Sequence, residues 1–296
     1  MLNRKIKNYV LGIDIGGSHI TAALVDMKTR SIVEASFQRK GVNSNNTAEE
    51  ILSSWVEVIE AAYAHFDIET KQIGIAMPGP FDYEAGISLI HDQDKFRALY
   101  QMNIKKELAL RLDIPKESIR FVNDAAGFLQ GEAFSGAARE GKRVIGLTLG
   151  TGLGSAFCEN GRAEDAALWE SPFKDGIAED YLSTRWFISR YFDLTGNKIA
   201  GVKDINATGN EEAYHQLIFK EFGHHLADFL IPLVKERQAD MVVLGGNISN
   251  AHAAFLPSLQ KRFQEQHLVV NLKIAELQED ASLIGAASCW EFYRHS

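Results

Sequence analysis

The stretch VLGIDIGGSHITAALVD, residues 10–26, contains the pattern that decides how this chain folds. Apolar residues alternate up to Asp14, two glycines and two small or polar residues follow, and the alternation then resumes. This pattern predicts a hairpin of two strands with a glycine bend. Glycines permit positive φ and let a ligand approach the amides, whose N–H groups can converge on anionic oxygens. The residues that we predict to contact phosphate at this bend are Asp14, Gly16, Gly17, Ser18 and His19.

A phosphate beside Asp14 requires a cation between the two negative groups. Magnesium suits this position because it keeps several of its waters and can span a carboxylate and a phosphate. We therefore expect Asp14 to hold Mg²⁺ through water. The alternative is a plain hairpin turn with a surface aspartate, which a single glycine pair would favour.

Two further glycine-rich segments occur where buried strands end. The segment GLTLGTGLGSAF, residues 146–157, predicts a second bend with Gly150, Thr151 and Gly152, and LGGN follows a later strand. Three glycine sites at strand ends favour one shared nucleotide site over three coincidental turns. None of them fits the P-loop pattern GxxxxGK[ST], and GTGLGS lies within a strand pair, which makes a dinucleotide site of the Rossmann type a weak interpretation.

Bulk composition excludes several classes of protein. The 296 residues exceed the usual size of one domain, and 46% hydrophobic with 24% charged residues is ordinary for a globular protein. The net charge of −8 disfavours a nucleic-acid surface. Two distant cysteines argue against a disulfide scaffold and a multi-cysteine metal site. No stretch approaches about 18 apolar residues, and no signal peptide is evident, so we expect no membrane contact and a cytoplasmic location.

The hydrophobic pattern predicts the same plan in both halves of the chain: a hairpin with a glycine bend, then alternating helices and strands. Three strands, including SIVEASFQ, precede a helix that starts with a capping box at Thr47 and Glu50. Further helices are predicted in NIKKELALRLDI, DAAGFLQGEAFSGAA and AEDYLSTRWFISRYF. This plan favours two α/β domains, 1–120 and 121–281, with ligands between them. We expect the C-terminal helix, about 282–296, to pack back on the first domain.

At this point the chain resembles the ROK family of sugar kinases, within the superfamily of actin, hexokinase and Hsp70 ATPases. The matching segments are, in order, GIDIGGSHITAALVD, IGIAMPGPFD, FVNDAAGFLQGEAF, LTLGTGLGSAF, VVLGGNIS and ASLIGAAS. The resemblance implies two RNase H-like domains with an interdomain cleft, ATP in the cleft, and a sugar beside the γ-phosphate. It also implies a homodimer, and it places Gly245, Gly246 and Asn247 near the adenosine.

The segment NDAAG offers a proton acceptor for transfer to a sugar hydroxyl, a reaction that also needs positioning and charge neutralisation. From the residues alone, Asp124 at a helix start is best explained as an N-cap. The resemblance implies instead that Asp124 is the catalytic base and that Asn123 binds the sugar. It further implies that Gly79 and Pro80, in the rigid turn MPGPFD, form part of the wall of the sugar pocket.

The chain departs from the family pattern at residues 161–187. Many members carry ExGH followed by a CxCGxxGCxE zinc site, whereas this chain reads GRAEDAALWESPFKDGIAEDYLSTRWF, without cysteine or histidine. We therefore predict no structural zinc. Glu179 matches the family's glutamate that bonds a sugar hydroxyl. Glu164 and Glu170 are best interpreted as solvated charges, and Trp169 lies in the altered loop without an assigned role.

These features predict an ATP-dependent kinase that phosphorylates a hexose or an N-acetylhexosamine, with ATP and Mg²⁺ as cofactors. The missing zinc segment leaves open a non-catalytic sugar or nucleotide binder, although Asp14, Asn123 and Asp124 count against it. A sugar-responsive transcription regulator is disfavoured, because about ten residues precede the first hairpin, too few for a helix-turn-helix.

Overall fold

A computed structural model describes residues 8–91, 95–205 and 212–291. The chain divides into two compact units: the first runs to Arg139 and also includes the segment from Glu279, and the second is Glu140–Gln278. The division thus falls after Arg139 rather than near Arg120, because the strand and helix on either side of Asn123 pair and pack within the first unit. The predicted C-terminal helix is found at Asp280–Ser288, within the first unit, and residues 292–296 of that prediction lie outside the described residues.

The first unit is built on a sheet in which an antiparallel hairpin is extended by parallel strands. The strands of this unit are β1 Tyr9–Ile15, β2 His19–Asp26, β3 Ser31–Ile32, β4 Gln38–Gly41, β5 Ile73–Met77, β6 Phe81–Asp82, β7 Ile87–Ser88 and β8 Ile119–Asn123. The sheet order is β3-β2-β1-β5-β8, with β4 also paired to β2, while β6 and β7 form a separate short pair. Strands β1 and β2 are antiparallel, and β1, β5 and β8 run parallel.

The second unit repeats this arrangement, as the sequence predicts. Its strands are β9 Arg143–Leu149, β10 Leu153–Glu159, β11 Arg162–Asp165, β12 Pro172–Phe173, β13 Gly176–Ile177, β14 Met241–Gly245 and β15 Asn271–Ile274. The sheet order is β11-β10-β9-β14-β15. Strands β9 and β10 form the antiparallel hairpin, and β9, β14 and β15 run parallel. Each unit therefore has a hairpin with a glycine bend and parallel strands beside it.

The helices flank these sheets and cover them with apolar faces. They are α1 Ala48–Tyr63, α2 Ile104–Leu112, α3 Asp124–Ser135, α4 Ala178–Tyr181, α5 Thr184–Thr195, α6 Glu212–Arg237, α7 His252–Glu265 and α8 Asp280–Ser288. The predicted capping box is confirmed: Glu50 N donates to Thr47 Oγ1 at 3.3 Å, and Thr47 N donates to Glu50 Oε2 at 3.0 Å. In the part of the chain that the structure describes, we find no helix with the length and apolar character needed to cross a membrane.

Close packing of α8 against the first sheet explains glycines that the sequence left without a role. A Cβ on Gly12 of β1 would collide with the carbonyl oxygen of Leu283, and one on Gly74 of β5 with that of Ala286. Helices α3 and α8 also pack closely at glycines, since a Cβ on Gly285 of α8 would collide with the backbone of Gly127 of α3. Helix and sheet approach here at backbone distance, which no side chain would allow.

Three local predictions from the sequence are wrong or incomplete. The segment SIVEASFQ is not one strand, because residues 34–36 form a 3₁₀ turn in which the buried Ser36 Oγ accepts from Leu24 N at 2.8 Å and donates to Val33 O at 2.6 Å. The segment AEDYLSTRWFISRYF forms two helices, α4 and α5. Helix α7 and strand β15 were not predicted.

Candidate functional site

In the first unit, the candidate site lies where three parallel strands reach their carboxyl ends. The register pairs Asp14 of β1 with Ala76 of β5, and Met77 of β5 with Asn123 of β8. The strand ends therefore bring together the acid of the glycine bend, the MPGP turn and the NDAAG segment. The carboxyl edge of parallel strands is the usual ligand-binding edge of such sheets, because loops diverge there and helix N-termini point towards it. Asp124 begins helix α3 at this edge.

Asp14 has an unusual electrostatic environment. Burial, with smaller contributions from the neighbouring carboxylates of Asp124 and Glu279 and an opposing one from Arg39, raises the pKa of this carboxyl from its ordinary value near 3.8 to about 7. Arg39 is itself ion-paired with Glu279. A cation near Asp14 would favour its ionised form. A half-buried carboxylate with a second acid close by is the donor set of a divalent cation, so these residues fit hydrated magnesium.

The first glycine bend is open. Gly16 N donates to His19 O at 2.9 Å, and Ser18 Oγ lies 2.9 Å from His19 Nδ1. The side of the bend at Gly17, Ser18 and His19 is exposed, and a Cβ on Gly16 would meet nothing closer than 3.7 Å. Positive φ, which the sequence suggested as one use of these glycines, is not found at Gly16 or Gly17. Gly16 and Gly17 therefore serve to leave space beside the backbone amides.

The N-cap of helix α3 is Asn123 rather than Asp124. Asn123 Oδ1 accepts from Ala125 N at 2.8 Å and from Ala126 N at 3.1 Å. The capping role that the sequence alone favoured for Asp124 is thus taken by its neighbour. Asp124 is exposed at the first helical position, where its Oδ1 accepts from Ala125 N at 2.9 Å. The positive end of a helix favours the anionic form of a carboxylate in this position.

Tyr83 connects the two loops at this edge of the sheet. Asn123 Nδ2 donates to Tyr83 Oη at 3.2 Å, and Tyr83 Oη donates to Met77 O at 3.1 Å. A Cβ on Gly79 would lie 3.2 Å from the same hydroxyl, and the Gly79–Pro80 peptide is cis. Sequence reasoning missed Tyr83, because its partner Asn123 is 40 residues away and no local pattern marks the contact.

In the second unit, the bend between β9 and β10 is held from outside by the start of helix α5. Gly150 N donates to Gly152 O at 3.1 Å, which closes the bend. Gly150 O accepts from both Thr184 N, at 2.8 Å, and Thr184 Oγ1, at 3.0 Å. This contact fixes Thr184 where α5 begins. Thr151 is exposed, and a Cβ on Gly150 would find nothing within 4 Å.

Glu179 lies against the second glycine bend. Its Oε2 accepts from Leu153 N at 3.0 Å, and its carboxylate is ion-paired with Arg185. A Cβ on Gly152 would come within 2.6 Å of Oε2, so glycine leaves room for this carboxylate. The side chain is 20% exposed. The predicted bond from Glu179 to a sugar hydroxyl stays a prediction, and the structure adds a role in orienting the bend.

The third glycine site lies at the same edge of the second sheet. The register pairs Gly245 of β14 with Thr148 of β9, two residues before the bend. Gly246 has a φ of 81°, and a Cβ there would collide with the backbone of Leu149. Gly246 O accepts from Ser249 N at 3.0 Å and from Ser249 Oγ at 2.7 Å. This site thus lies directly beside the residue that precedes the second bend, and Asn247 is exposed.

An aromatic cluster occupies the region where the family pattern has its zinc segment. Lys174, in the turn between β12 and β13, is hydrogen-bonded to His225 of α6. The His225 ring packs edge-on against Tyr181 at 5.3 Å and Trp186 at 5.2 Å. Burial and then Lys174 lower the pKa of His225 to about 4. His225 is thus half-buried among aromatic rings.

Glu164, Glu170 and Trp169 of the altered loop are exposed to solvent. Glu164 and Glu170 are exposed, and Glu164 Oε1 lies 3.5 Å from Arg162 Nε. Trp169 is 44% exposed. Within residues 8–91, 95–205 and 212–291, no three histidine, cysteine or acidic side chains are grouped to hold a metal ion.

Comparison with known proteins gives consistent matches along nearly the whole chain. The model of the ROK family matches residues 10–165 and 174–292. N-acetyl-D-glucosamine kinase of Haemophilus influenzae is 25% identical over 310 residues, which cover 94% of this chain and 97% of that protein. Glucokinase from Parabacteroides distasonis has a TM-score of 0.80 at 21% identity, with 99% of each chain covered. A ROK family glucokinase from Streptomyces griseus, in complex with glucose and AMPPNP, has a TM-score of 0.69 at 23% identity and covers 95% of this chain and 98% of that one. The fold is thus the two-domain α/β fold of the actin and hexokinase type.

Proposed function

Because this chain belongs to the ROK family, we propose that it is an ATP-dependent sugar kinase that phosphorylates a hydroxyl of a hexose or an N-acetylhexosamine. Both sugar classes occur among its relatives, which include kinases of N-acetyl-D-glucosamine and N-acetylgalactosamine as well as a glucokinase. The observation that carries the proposal is the position of Asp124, which is exposed at the carboxyl edge of the first sheet and near enough to Asp14 for the two carboxyl groups to interact.

Asp124 acts as the general base. Its carboxylate accepts the proton of the sugar hydroxyl while the hydroxyl oxygen bonds to the γ-phosphorus and the bond from that phosphorus to the β,γ-bridging oxygen breaks, which releases ADP. Asp124 is the first residue of helix α3, where the helix dipole is favourable to a carboxylate. Asn123 cannot replace it, because its Oδ1 is used by two helix amides. Asn123 is instead placed to orient the loop and to offer its remaining amide hydrogen to the sugar.

Each unit supplies its own set of phosphate-binding residues. In the first unit these are the amides and side chains of the open bend, and in the second they are Gly150, Thr151 and Gly152. Magnesium, when bound with the nucleotide, would be held by Asp14 through water and would neutralise phosphate charge. Gly245, Gly246 and Asn247 contact the adenosine. Gly79 and Pro80, braced by Tyr83, form part of the wall of the sugar pocket. The family resemblance gives Glu179 a bond to a sugar hydroxyl.

The test is ADP release measured with a coupled assay across glucose, mannose, N-acetylglucosamine, N-acetylgalactosamine and N-acetylmannosamine. One or more sugars should stimulate ADP release, and Asp124→Asn should lower kcat about 10²- to 10⁴-fold while ATP binding is retained. The exposed Asp67 offers a matched control, and Asp67→Asn should leave kcat unchanged. Sugar binding without ADP release, or an Asp124→Asn variant with kcat near that of the wild type, would contradict the proposal.

We further propose that the kinase is a cytoplasmic homodimer, which the family resemblance implies. Size-exclusion chromatography with light scattering should give twice the chain mass of 32.9 kDa. A mass equal to that of one chain would contradict this part of the proposal.

A further inference from the structure

The first glycine bend has a cationic neighbour that no motif includes. The Cδ atom of Lys95 lies 3.6 Å from the position that a Cβ on Gly17 would occupy. Among the residues that the structure describes, and leaving aside the two chain neighbours of Gly17, no other heavy atom comes within 4 Å of that position. The aliphatic part of Lys95 therefore lies over the open side of the bend. Its ammonium group is two bonds beyond Cδ.

Backbone contacts hold Lys95 in this place. The next residue, Phe96, is fully buried, and its N–H donates to Ser44 O at 2.8 Å. Two residues before Ser44, Val42 N donates to Ser18 O of the glycine bend, also at 2.8 Å. The segment with Lys95 and the bend are thus both fixed to the same short loop. A buried aromatic anchor directly after the lysine limits how far its backbone can move away.

The charge balance at the bend calls for such a cation. Asp14, near the carboxyl end of β1, and Asp124, at the start of α3, place two acidic groups at this edge of the sheet. Arg39 is close to Asp14 but is ion-paired with Glu279. A triphosphate brings several further negative charges. Lysine binds phosphate as a point charge, and a flexible stem beside the bend lets the ammonium reach an oxygen of the bound anion.

We propose, on the basis of the kinase function proposed above, that Lys95 is a phosphate-binding residue whose ammonium group contacts a phosphoryl oxygen of ATP bound at the first glycine bend. The residue thus complements the amides of the bend, and it acts on the nucleotide rather than on the sugar.

The experiment compares Lys95→Met, which keeps the apolar stem and removes the charge, with Lys95→Arg, which keeps the charge. Lys28→Met is the matched control, because Lys28 is an exposed lysine of the same unit beyond the opposite end of β2. Isothermal titration calorimetry measures the affinity of each protein for ATP with magnesium and for AMP, and steady-state kinetics measures KM for ATP and for the preferred sugar. Thermal unfolding verifies that each variant is folded.

The loss of one hydrogen bond to a charged group should weaken ATP binding about 10-fold or more in Lys95→Met. Lys95→Arg should stay within about threefold of the wild type, and AMP affinity and the KM for the sugar should not change. Unchanged ATP affinity in a folded Lys95→Met variant of an active kinase would overturn this inference and leave the proposed function intact. A rise in KM for the sugar alone would also overturn it. A wild-type protein that binds no ATP would overturn both proposals.

Discussion

The raised pKa of Asp14 means that its ionised form, which we propose holds magnesium, destabilises the protein when no cation is bound. The unfolded chain ionises this group near 3.8, whereas the folded protein does so near 7. Between these values the native state binds more protons than the unfolded state, so stability falls as pH rises from about 4 to about 7. Asp14→Asn removes the ionisation. We therefore expect this substitution to stabilise the free protein at pH 8 while it abolishes kinase activity.

The size of the effect follows from the shift. About three pKa units correspond to roughly 4 kcal/mol at 1.36 kcal/mol per unit. About two of those units act between pH 5 and pH 8, or roughly 3 kcal/mol, and partial exposure of Asp14 to solvent reduces this to ~1–2 kcal/mol. The stability advantage of Asp14→Asn over the wild type should grow by that amount across the interval. For a unit of this size, it corresponds to a difference of roughly 2–8 °C in Tm.

The assay is unfolding by urea and by heat for both proteins at about pH 5, 6, 7 and 8, without nucleotide or metal. Asp67→Asn, at an exposed site in the same unit, should show no such pH-dependent gain. Addition of ATP with magnesium should raise the Tm of the wild type and leave that of Asp14→Asn nearly unchanged, because only the wild type retains the carboxylate. A difference between the two proteins that stays constant over this pH range would refute the reasoning.

Three further outcomes are expected. Glu179→Gln keeps an acceptor for Leu153 N, so it should raise KM for ATP less than Glu179→Ala does in the same coupled assay. Gly246→Ala must place a Cβ against the backbone of Leu149 at positive φ, so urea unfolding should show a loss of about 1–3 kcal/mol or more. The depressed pKa of His225 means that stability is lost as pH falls from about 6.5 to about 4, and unfolding curves of His225→Gln should lack part of this loss.

Each of these outcomes has a result that contradicts it. Equal KM values for the two Glu179 variants would remove the role of that carboxylate in orienting the bend. A Gly246→Ala variant as stable as the wild type would mean that the loop can move away from Leu149. For His225, a wild-type and variant difference that does not change between pH 6.5 and 4 would contradict the burial of the ring.

Features that depend on neighbours in sequence were predictable. The hairpins, most of the helices and strands and the capping box at Thr47 follow from alternation, helical spacing and side-chain to backbone bonds within four residues. Predictions failed where a distant group intervened. Ser36 interrupts the predicted third strand because its hydroxyl accepts from Leu24 N. One helix was predicted over AEDYLSTRWFISRYF, but the structure has two, and the second begins at Thr184, which contacts Gly150.

The candidate site divides in the same way. Asp14, Asp124 and the glycine bends could be found from motifs and a family resemblance, since each is a short segment of characteristic composition. Tyr83, Lys95 and the bond from Glu179 to Leu153 could not be found in this way. Glu179 is 26 residues from Leu153, and Lys95 is 78 residues from Gly17. No local pattern encodes contacts between residues so far apart in sequence.

The amino-acid sequence by itself determined the two repeated hairpins, their α/β surroundings and the membership of the family, because these depend on periodicity and on residue types at fixed spacing. Only the tertiary structure decided that Asn123 caps helix α3, that the pKa of Asp14 is raised and that Lys95 lies over the first bend. Desolvation and Coulomb interaction vary with distances through space, and those distances exist only once the strands have paired.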